Sequence, residues 1–128
     1  MPNRWPEWFN PKPIALEPES FGSFEQSYKV TKAGDVLIVP TPGHTPGHVS
    51  VVVNTEDVTF FLAGDTSYSQ SLLINRTADG VSPPASVAID TMDRILRLAD
   101  SRRLVYLPTH DPESVDRLTQ KRTLGTSL

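Results

Sequence analysis

The chain has 128 residues, 38% of them hydrophobic and 21% charged, which is the composition of one globular domain rather than of a disordered segment. Its net charge of -3 and the lack of Lys- or Arg-rich runs argue against a nucleic-acid-binding surface. It has no cysteine, which excludes disulfides and thiolate metal sites, and no apolar run approaches the roughly 20 residues that span a bilayer. The first residues do not resemble a signal peptide, so the sequence predicts a cytoplasmic protein.

The first 33 residues predict an irregular arm rather than a helix. Prolines recur so often in this stretch that no window long enough for a stable helix remains between them. The arm also carries several large apolar residues, which are costly to leave in water, so we expect it to pack on a domain formed by residues 34–128. These residues are Trp5, Trp8, Phe9, Ile14, Leu16, Phe21 and Phe24.

Beyond the arm, short apolar runs separated by turn residues predict a β-sheet. The runs are rich in valine, isoleucine and aromatic residues, which favour strands. The three polar residues 55–57 separate two such runs and predict an antiparallel hairpin. Strands are predicted at residues 27–31, 36–40, 48–54, 58–63 and 104–107.

One long helix is predicted between the last two of these strands. It begins at Pro83 or Pro84, with Ser82 as its cap, and ends at Arg103. A helical turn at residues 69–74 and a short helix that begins at Asp111 or Pro112 and ends at Lys121 complete the pattern. Apolar side chains follow the helical period along the long helix and predict one buried stripe. The stripe consists of Val87, Ala88, Thr91, Met92, Ile95, Leu98 and Ala99.

The loop between the second and third predicted strands, residues 40–48, carries two histidines, His44 and His48. Its sequence, PTPGHTPGH, contains three prolines and two glycines, which forbid a helix and predict a stiff, turned loop. A metal site needs side chains that are held in this way. A proline-rich connection whose histidines are merely solvated explains the loop alone equally well.

Three residues that suit a metal ion follow apolar strands: His44, Asp65 and His110. Each lies at the C-terminal side of its strand, in a loop that proline or glycine holds. Imidazole and carboxylate together suit a divalent ion such as zinc, iron or manganese. Any one of these residues has a structural explanation, and an Asp at a strand end commonly caps a turn. Their repetition favours a shared site.

These motifs resemble the later metal-binding motifs of the metallo-β-lactamase superfamily. The resemblance covers about residues 35–121 and rests on TPGHTPGH at 41–48, Gly64-Asp65 and His110-Asp111. The motifs GDTSY at 64–68 and THD at 109–111 are most similar to the N-acyl homoserine lactone lactonases. Glyoxalase II-type thioesterases share TPGHTPGH and are an alternative. The resemblance implies an α+β fold that is the C-terminal half of an αββα sandwich.

The resemblance also implies a role for each site residue. His44 would ligate one ion of a metal pair, Asp65 would bridge both ions, and His110 would ligate the second ion. Tyr68 would donate a hydrogen bond to the lactone carbonyl oxygen or to the developing oxyanion. The implied reaction opens the ring of an N-acyl homoserine lactone through a metal-bridged hydroxide, with zinc as the expected metal. His48 is similar to a position that the family uses structurally, and is not expected to be a ligand.

The chain departs from the superfamily in one respect. The signature H-x-H-x-D-H motif, which supplies most of the ligands, is absent, and His44, His48 and His110 are the only histidines. We therefore expect a truncated chain with an incomplete metal site and little or no activity alone. One sheet face would stay apolar and exposed, which predicts a homodimer or pairing with a complementing N-terminal half. A non-catalytic remnant or interaction module is the alternative to an enzyme.

Overall fold

A computed structural model describes residues 4–80 and 84–124, and within them five strands form one mixed sheet. The strands follow one another across the sheet in chain order, and all neighbours are antiparallel except the last pair, which is parallel. With the helices described below, this is an α+β fold, as predicted. The strands are β1 (Tyr28–Lys29), β2 (Val36–Pro40), β3 (Val49–Asn54), β4 (Thr59–Gly64) and β5 (Leu104–Pro108).

The predicted strands are all present, and their ends differ from the prediction by at most one residue except at the end of β1. The hairpin between β3 and β4 is confirmed, with Val51 opposite Leu62 and Asn54 opposite Thr59. The main difference is β1, which has only two paired residues because it lies at the outer edge of the sheet.

Three helices complete the fold within the described residues: α1 (Gln70–Ile74), α2 (Ala85–Ser101) and α3 (Ser114–Gln120). The first two lie between the parallel strands β4 and β5, which require a long crossover connection. The predicted cap Ser82 and the predicted start at Pro83 lie outside the described residues, whereas Pro84, the other predicted start, directly precedes the helix as its N-cap. The helix ends before the predicted Arg103, because Arg102 already has the extended backbone that leads into β5.

The hydrophobic core lies between α2 and one face of the sheet. The predicted stripe on α2 is confirmed except at Val87, which is exposed. Val87 lines an open groove beside Pro42 and Phe24 instead of facing the sheet. The core residues of the sheet are Leu37, Val39, Val52, Phe61, Ala63, Leu104 and Tyr106, and those of α2 are Met92, Ile95, Leu98 and Ala99.

The aromatic residues of the arm differ in burial. Phe24 is buried in the core, and its ring stacks on Phe61 at a centroid distance of 6.0 Å. Contrary to expectation, Trp5, Trp8 and Phe9 are exposed and contact one another. Only the later part of the arm therefore contributes to the core, and the division at residue 33 stays a prediction.

The opposite face of the sheet is apolar and only partly covered by the described residues, since α3 packs beside β5. Val49 and Leu62 on β3 and β4 are 41% and 42% exposed. Together with Val115 and Leu118 of α3 they line an apolar groove of about 430 Å³. No helix among the described residues is both long enough and apolar enough to cross a membrane.

Candidate metal centre

The loop that carries His44 is held against the start of α2. Thr91 on α2 donates a hydrogen bond of 2.6 Å to the carbonyl oxygen of Pro42. Gly43 lies so close to the helix that a Cβ atom there would be 2.9 Å from the backbone of Ala88. The glycine is therefore needed for close packing, and the packing places His44 at the end of the sheet where β4 also ends.

Asp65 directly follows β4, and His48 fixes its backbone. The Asp65 amide donates a 3.0 Å hydrogen bond to Nε2 of His48. Gly64 permits this contact in two ways: its φ of +59° favours glycine, and a Cβ atom would lie 2.8 Å from the same nitrogen. The two strand-end motifs are thereby joined, with the Asp65 carboxylate beside the His44 loop.

His48 is a structural residue, in agreement with what the resemblance implies. Because Nε2 accepts a hydrogen bond, Nδ1 carries the hydrogen, and it lies 3.1 Å from the Thr41 carbonyl oxygen and 2.8 Å from Thr41 Oγ1. Burial lowers the pKa of His48, which favours the neutral ring. Thr41 Oγ1 also contacts Ser50 Oγ, so both ring nitrogens are engaged in a buried network.

The structure brings His44, Asp65 and His110 together. His44 Nε2 lies 3.6 Å from Asp65 Oδ2, and His110 Nε2 lies 3.0 Å from Asp65 Oδ1. The carboxylate therefore lies between the two imidazoles. Each of the three side chains is partly accessible, with His110 the most exposed.

Asp79 is a site residue that the sequence analysis missed. Its Oδ2 atom lies 2.9 Å from Nδ1 of His44, and its side chain is only 6% exposed. It lies in the polar loop after α1, where neither periodicity nor a strand end distinguishes it from a surface aspartate. No pattern in the sequence marks it.

Tyr68 completes the cluster. Its ring centroid is 5.3 Å from that of His110 and 6.2 Å from that of His44, with both pairs edge to face. The side chain hydrogen-bonds to Asp79. Partial burial and the nearby carboxylates of Asp79 and Asp65 raise the pKa of Tyr68, so the phenol keeps its proton and remains a hydrogen-bond donor.

The donor atoms around Asp65 suit a cation. Since a carboxylate only accepts hydrogen bonds, His44 Nδ1 must carry the hydrogen that Asp79 accepts. In a neutral ring the lone pair is then on Nε2, which faces Asp65 Oδ2. Asp65 Oδ1 is buried and, among the described residues, accepts no hydrogen bond of good geometry, although His110 Nε2 is at ion-pair distance. Two acceptor groups that face each other at short range are stabilised by a positive ion.

The side chains do not yet surround a common point. Within residues 4–80 and 84–124 there is no set of three or more His, Cys, Asp or Glu side chains already arranged around an ion. His44 and His110 instead reach Asp65 as separate pairs. A metal would therefore require these side chains to rotate from their mutual contacts onto the ion.

Asp111, next to His110, has a structural role. It receives hydrogen bonds from the amides of Gln70 and Glu113 and from Arg117 Nη2 at 2.6 Å. Burial alone would raise the pKa of Asp111, but these hydrogen bonds outweigh it and the pKa is lowered. Arg117, itself buried, also donates to the carbonyl oxygen of Tyr106 on β5. This ion pair fixes α3 and the end of β5, and so the backbone next to His110.

The chain belongs to the metallo-beta-lactamase superfamily, whose family model matches residues 3–110. The match extends further toward the N-terminus than the motifs at 41–48, 64–68 and 109–111, and it includes the arm. Among curated proteins no match is found.

Solved structures with a similar fold include two N-acyl homoserine lactone hydrolases and a probable metal-dependent hydrolase. An N-acyl homoserine lactone hydrolase, solved with N-hexanoyl-L-homoserine at its catalytic metal centre, is 24% identical with a TM-score of 0.60; the match covers 70% of this chain and 35% of that one. A quorum-quenching N-acyl homoserine lactone hydrolase is 25% identical with a TM-score of 0.59, at 68% and 35% coverage. A probable metal-dependent hydrolase from Staphylococcus aureus is 15% identical with a TM-score of 0.58, at 69% and 31% coverage. The chain thus spans about a third of the length of these relatives.

Proposed function

We propose that this chain forms part of a metal-dependent lactonase that hydrolyses N-acyl homoserine lactones in the cytoplasm. The observation that carries the proposal is the Asp65 carboxylate between the imidazoles of His44 and His110, with a buried oxygen that accepts no hydrogen bond among the described residues. The similarity of the motif at 64–68 to that of the lactonases and the shared fold support the substrate class.

His44, Asp65 and His110 would hold the metal, and zinc suits this set of nitrogen and oxygen donors. When bound, such an ion polarises a carbonyl oxygen and lowers the pKa of water. The residues of the chain supply the remaining parts of the site. Tyr68 lies beside both histidines and keeps its phenol proton, which it donates to Asp79 in the metal-free chain. Turned away from Asp79, the same O–H would donate a hydrogen bond to the carbonyl oxygen of the lactone as negative charge develops there.

Three protein ligands are too few for a site with two metal ions, and the chain has no further histidine for ligation apart from His48, whose nitrogens are both engaged. We therefore propose that this chain alone is weakly active or inactive. The remaining part of the fold, about two thirds of the length of the matched hydrolases, would supply the missing ligands and cover the apolar sheet face around Val49 and Leu62.

A titration with the ring-opened product tests the lactonase proposal without requiring turnover. The purified, zinc-loaded chain is titrated with N-hexanoyl-L-homoserine while amide signals are followed by NMR. We expect zinc-dependent shifts at Tyr68 and His110, and their loss in Asp65→Asn. Shifts with a thioester but not with the lactone product would favour the thioesterase alternative, and no zinc-dependent shift with either would favour a non-catalytic module.

Sedimentation of the same sample tests the proposed cover of the sheet. If the chain forms a stable dimer through Val49 and Leu62, then a second copy of this chain, and not a complementing half, covers the sheet face. Loss of that dimer in Leu62→Lys would establish the surface involved, since a charge on an apolar interface is costly to bury. Robust lactone turnover by the chain alone would contradict the proposed need for a complementing part.

A further inference from the structure

Asp79 contacts two of the site residues without pointing at Asp65. It accepts a hydrogen bond from His44 Nδ1 at 2.9 Å and hydrogen-bonds to Tyr68. Its side chain is 6% exposed, so the carboxylate is withdrawn from water. A buried carboxylate needs hydrogen-bond partners, and these two partners of Asp79 belong to the candidate metal centre.

We propose that Asp79 is a positioning residue that holds His44 in the tautomer with its hydrogen on Nδ1, so that Nε2 is the nitrogen offered to the metal. The role of this tautomer in metal binding rests on the proposed function, but the tautomer itself is a property of the metal-free chain.

The chemistry of the pair supports only this tautomer. A carboxylate oxygen has no hydrogen to give, so the nitrogen at 2.9 Å must be the donor. A neutral imidazole carries one hydrogen, which leaves the lone pair on Nε2, the nitrogen that lies 3.6 Å from Asp65 Oδ2. Histidine ligands commonly donate their other nitrogen to a carboxylate, and this contact fixes the ring and raises the basicity of the ligating nitrogen.

The hydrogen bond to Tyr68 extends the argument to the substrate side. Because one carboxylate engages both His44 and Tyr68, it sets the separation of the metal-binding nitrogen from the phenol. Asp79 itself is not expected to ligate the same ion, since its Oδ2 atom is directed at the other nitrogen of His44.

Long-range nitrogen–proton NMR correlations of the histidine rings test the proposal in the metal-free chain in mildly alkaline buffer. We expect the Nδ1–H tautomer of His44 in the wild type. Asp79→Asn keeps the size of the side chain, but its amide can either accept from or donate to Nδ1, so both tautomers should appear. His48, which is held by Thr41 and the Asp65 amide, should keep its signals as an internal reference.

Zinc affinity is the second measurement. Asp79→Asn should weaken binding by about 10- to 100-fold, as for other losses of a carboxylate behind a histidine ligand. Asp100→Asn, which changes an exposed aspartate near the end of α2, is the matched control and should have no effect. Tyr68→Phe should leave the tautomer of His44 unchanged.

An Nε2–H tautomer in the wild type would overturn the proposal, and so would an unchanged His44 tautomer in Asp79→Asn. The wild-type spectrum decides even if the variant does not fold. If the tautomer responds as expected but the wild type binds no zinc, the proposed metal function fails while the positioning of His44 by Asp79 stands.

Discussion

Asp65 and Asp111 both follow strands that end at the same edge of the sheet, yet their surroundings are opposite. Asp111 is surrounded by donors: two backbone amides and the guanidinium of Arg117. Asp65 faces the imidazoles of His44 and His110, and its buried Oδ1 atom accepts no hydrogen bond among the described residues. A carboxylate that receives hydrogen bonds from the fold stabilises the structure, whereas a carboxylate that lacks such donors is available to bind a cation.

The strongest test of this comparison removes the partner of Asp111. Arg117→Met leaves a buried carboxylate without its positive charge, and we expect the free energy of unfolding to fall by about 3–5 kcal/mol. Urea denaturation measures the effect. Arg97→Met, at an exposed position on α2, should change the free energy by less than about 0.5 kcal/mol. Equal effects of the two substitutions would show that the ion pair has no structural role.

The second test disturbs the backbone beside Asp65. Gly64→Ala places a methyl group 2.8 Å from His48 Nε2 at a residue whose φ is +59°, so we expect a loss of about 1–3 kcal/mol and weaker zinc binding. The matched control is Gly47→Ala in the neighbouring loop, where a Cβ atom would meet no atom within 4 Å. Thermal unfolding and zinc titration of both variants would reveal the difference, and a stable Gly64→Ala with normal zinc binding would contradict the account.

The pH dependence of stability sharpens the structural side of the comparison. The fold lowers the pKa of Asp111 from its ordinary value of 3.8, so the unfolded chain binds its proton first as the pH falls. The contribution of Asp111 is therefore present above about pH 4 and is lost below it, with a slope of at most about 1.4 kcal/mol per pH unit.

Asp111→Asn should flatten this acid limb of the curve. Asp57 also titrates with a lowered pKa, to about 2, through its hydrogen bond from Lys121, but that pair is exposed and its effect should fade in salt. An acid limb that salt abolishes entirely would assign the pH dependence to Asp57 instead of Asp111.

The smallest expected effect on stability is that of Asp65→Asn. Because the carboxylate of Asp65 is poorly paired, its replacement by an amide should change the free energy of unfolding by less than about 1 kcal/mol. Zinc binding should nevertheless be lost, since the carboxylate between the histidines is removed. A large loss of stability in the metal-free variant would show that Asp65 is a structural residue like Asp111.

The sequence was sufficient to predict residues that follow strands, but not residues whose partners are distant in the chain. His44, Asp65 and His110 were predicted to converge because strand ends of one sheet meet at one edge. Asp79 gave no such signal, since it lies in an irregular loop and contacts His44 across a separation of 35 residues. Arg117 has no distinguishing pattern in the sequence either, since its partners are the Tyr106 carbonyl oxygen on β5 and Asp111.

The arm was the least predictable part of the fold. Its aromatic residues share one composition argument, but only Phe24 finds a place beside Phe61 in the core. Trp5 and Trp8 stay exposed because no element of the described chain extends over them. Composition predicts that large apolar residues tend to be buried, but it does not specify which of them pack into the core.

Calorimetric zinc titration of the metal-free chain, side by side with Asp65→Asn, tests the central claim most directly. The account predicts that the wild type binds one zinc ion through His44, Asp65 and His110, and that the variant does not bind it. Absence of binding by the wild type, or equal binding by both chains, would contradict the claim that Asp65 is the centre of a metal site.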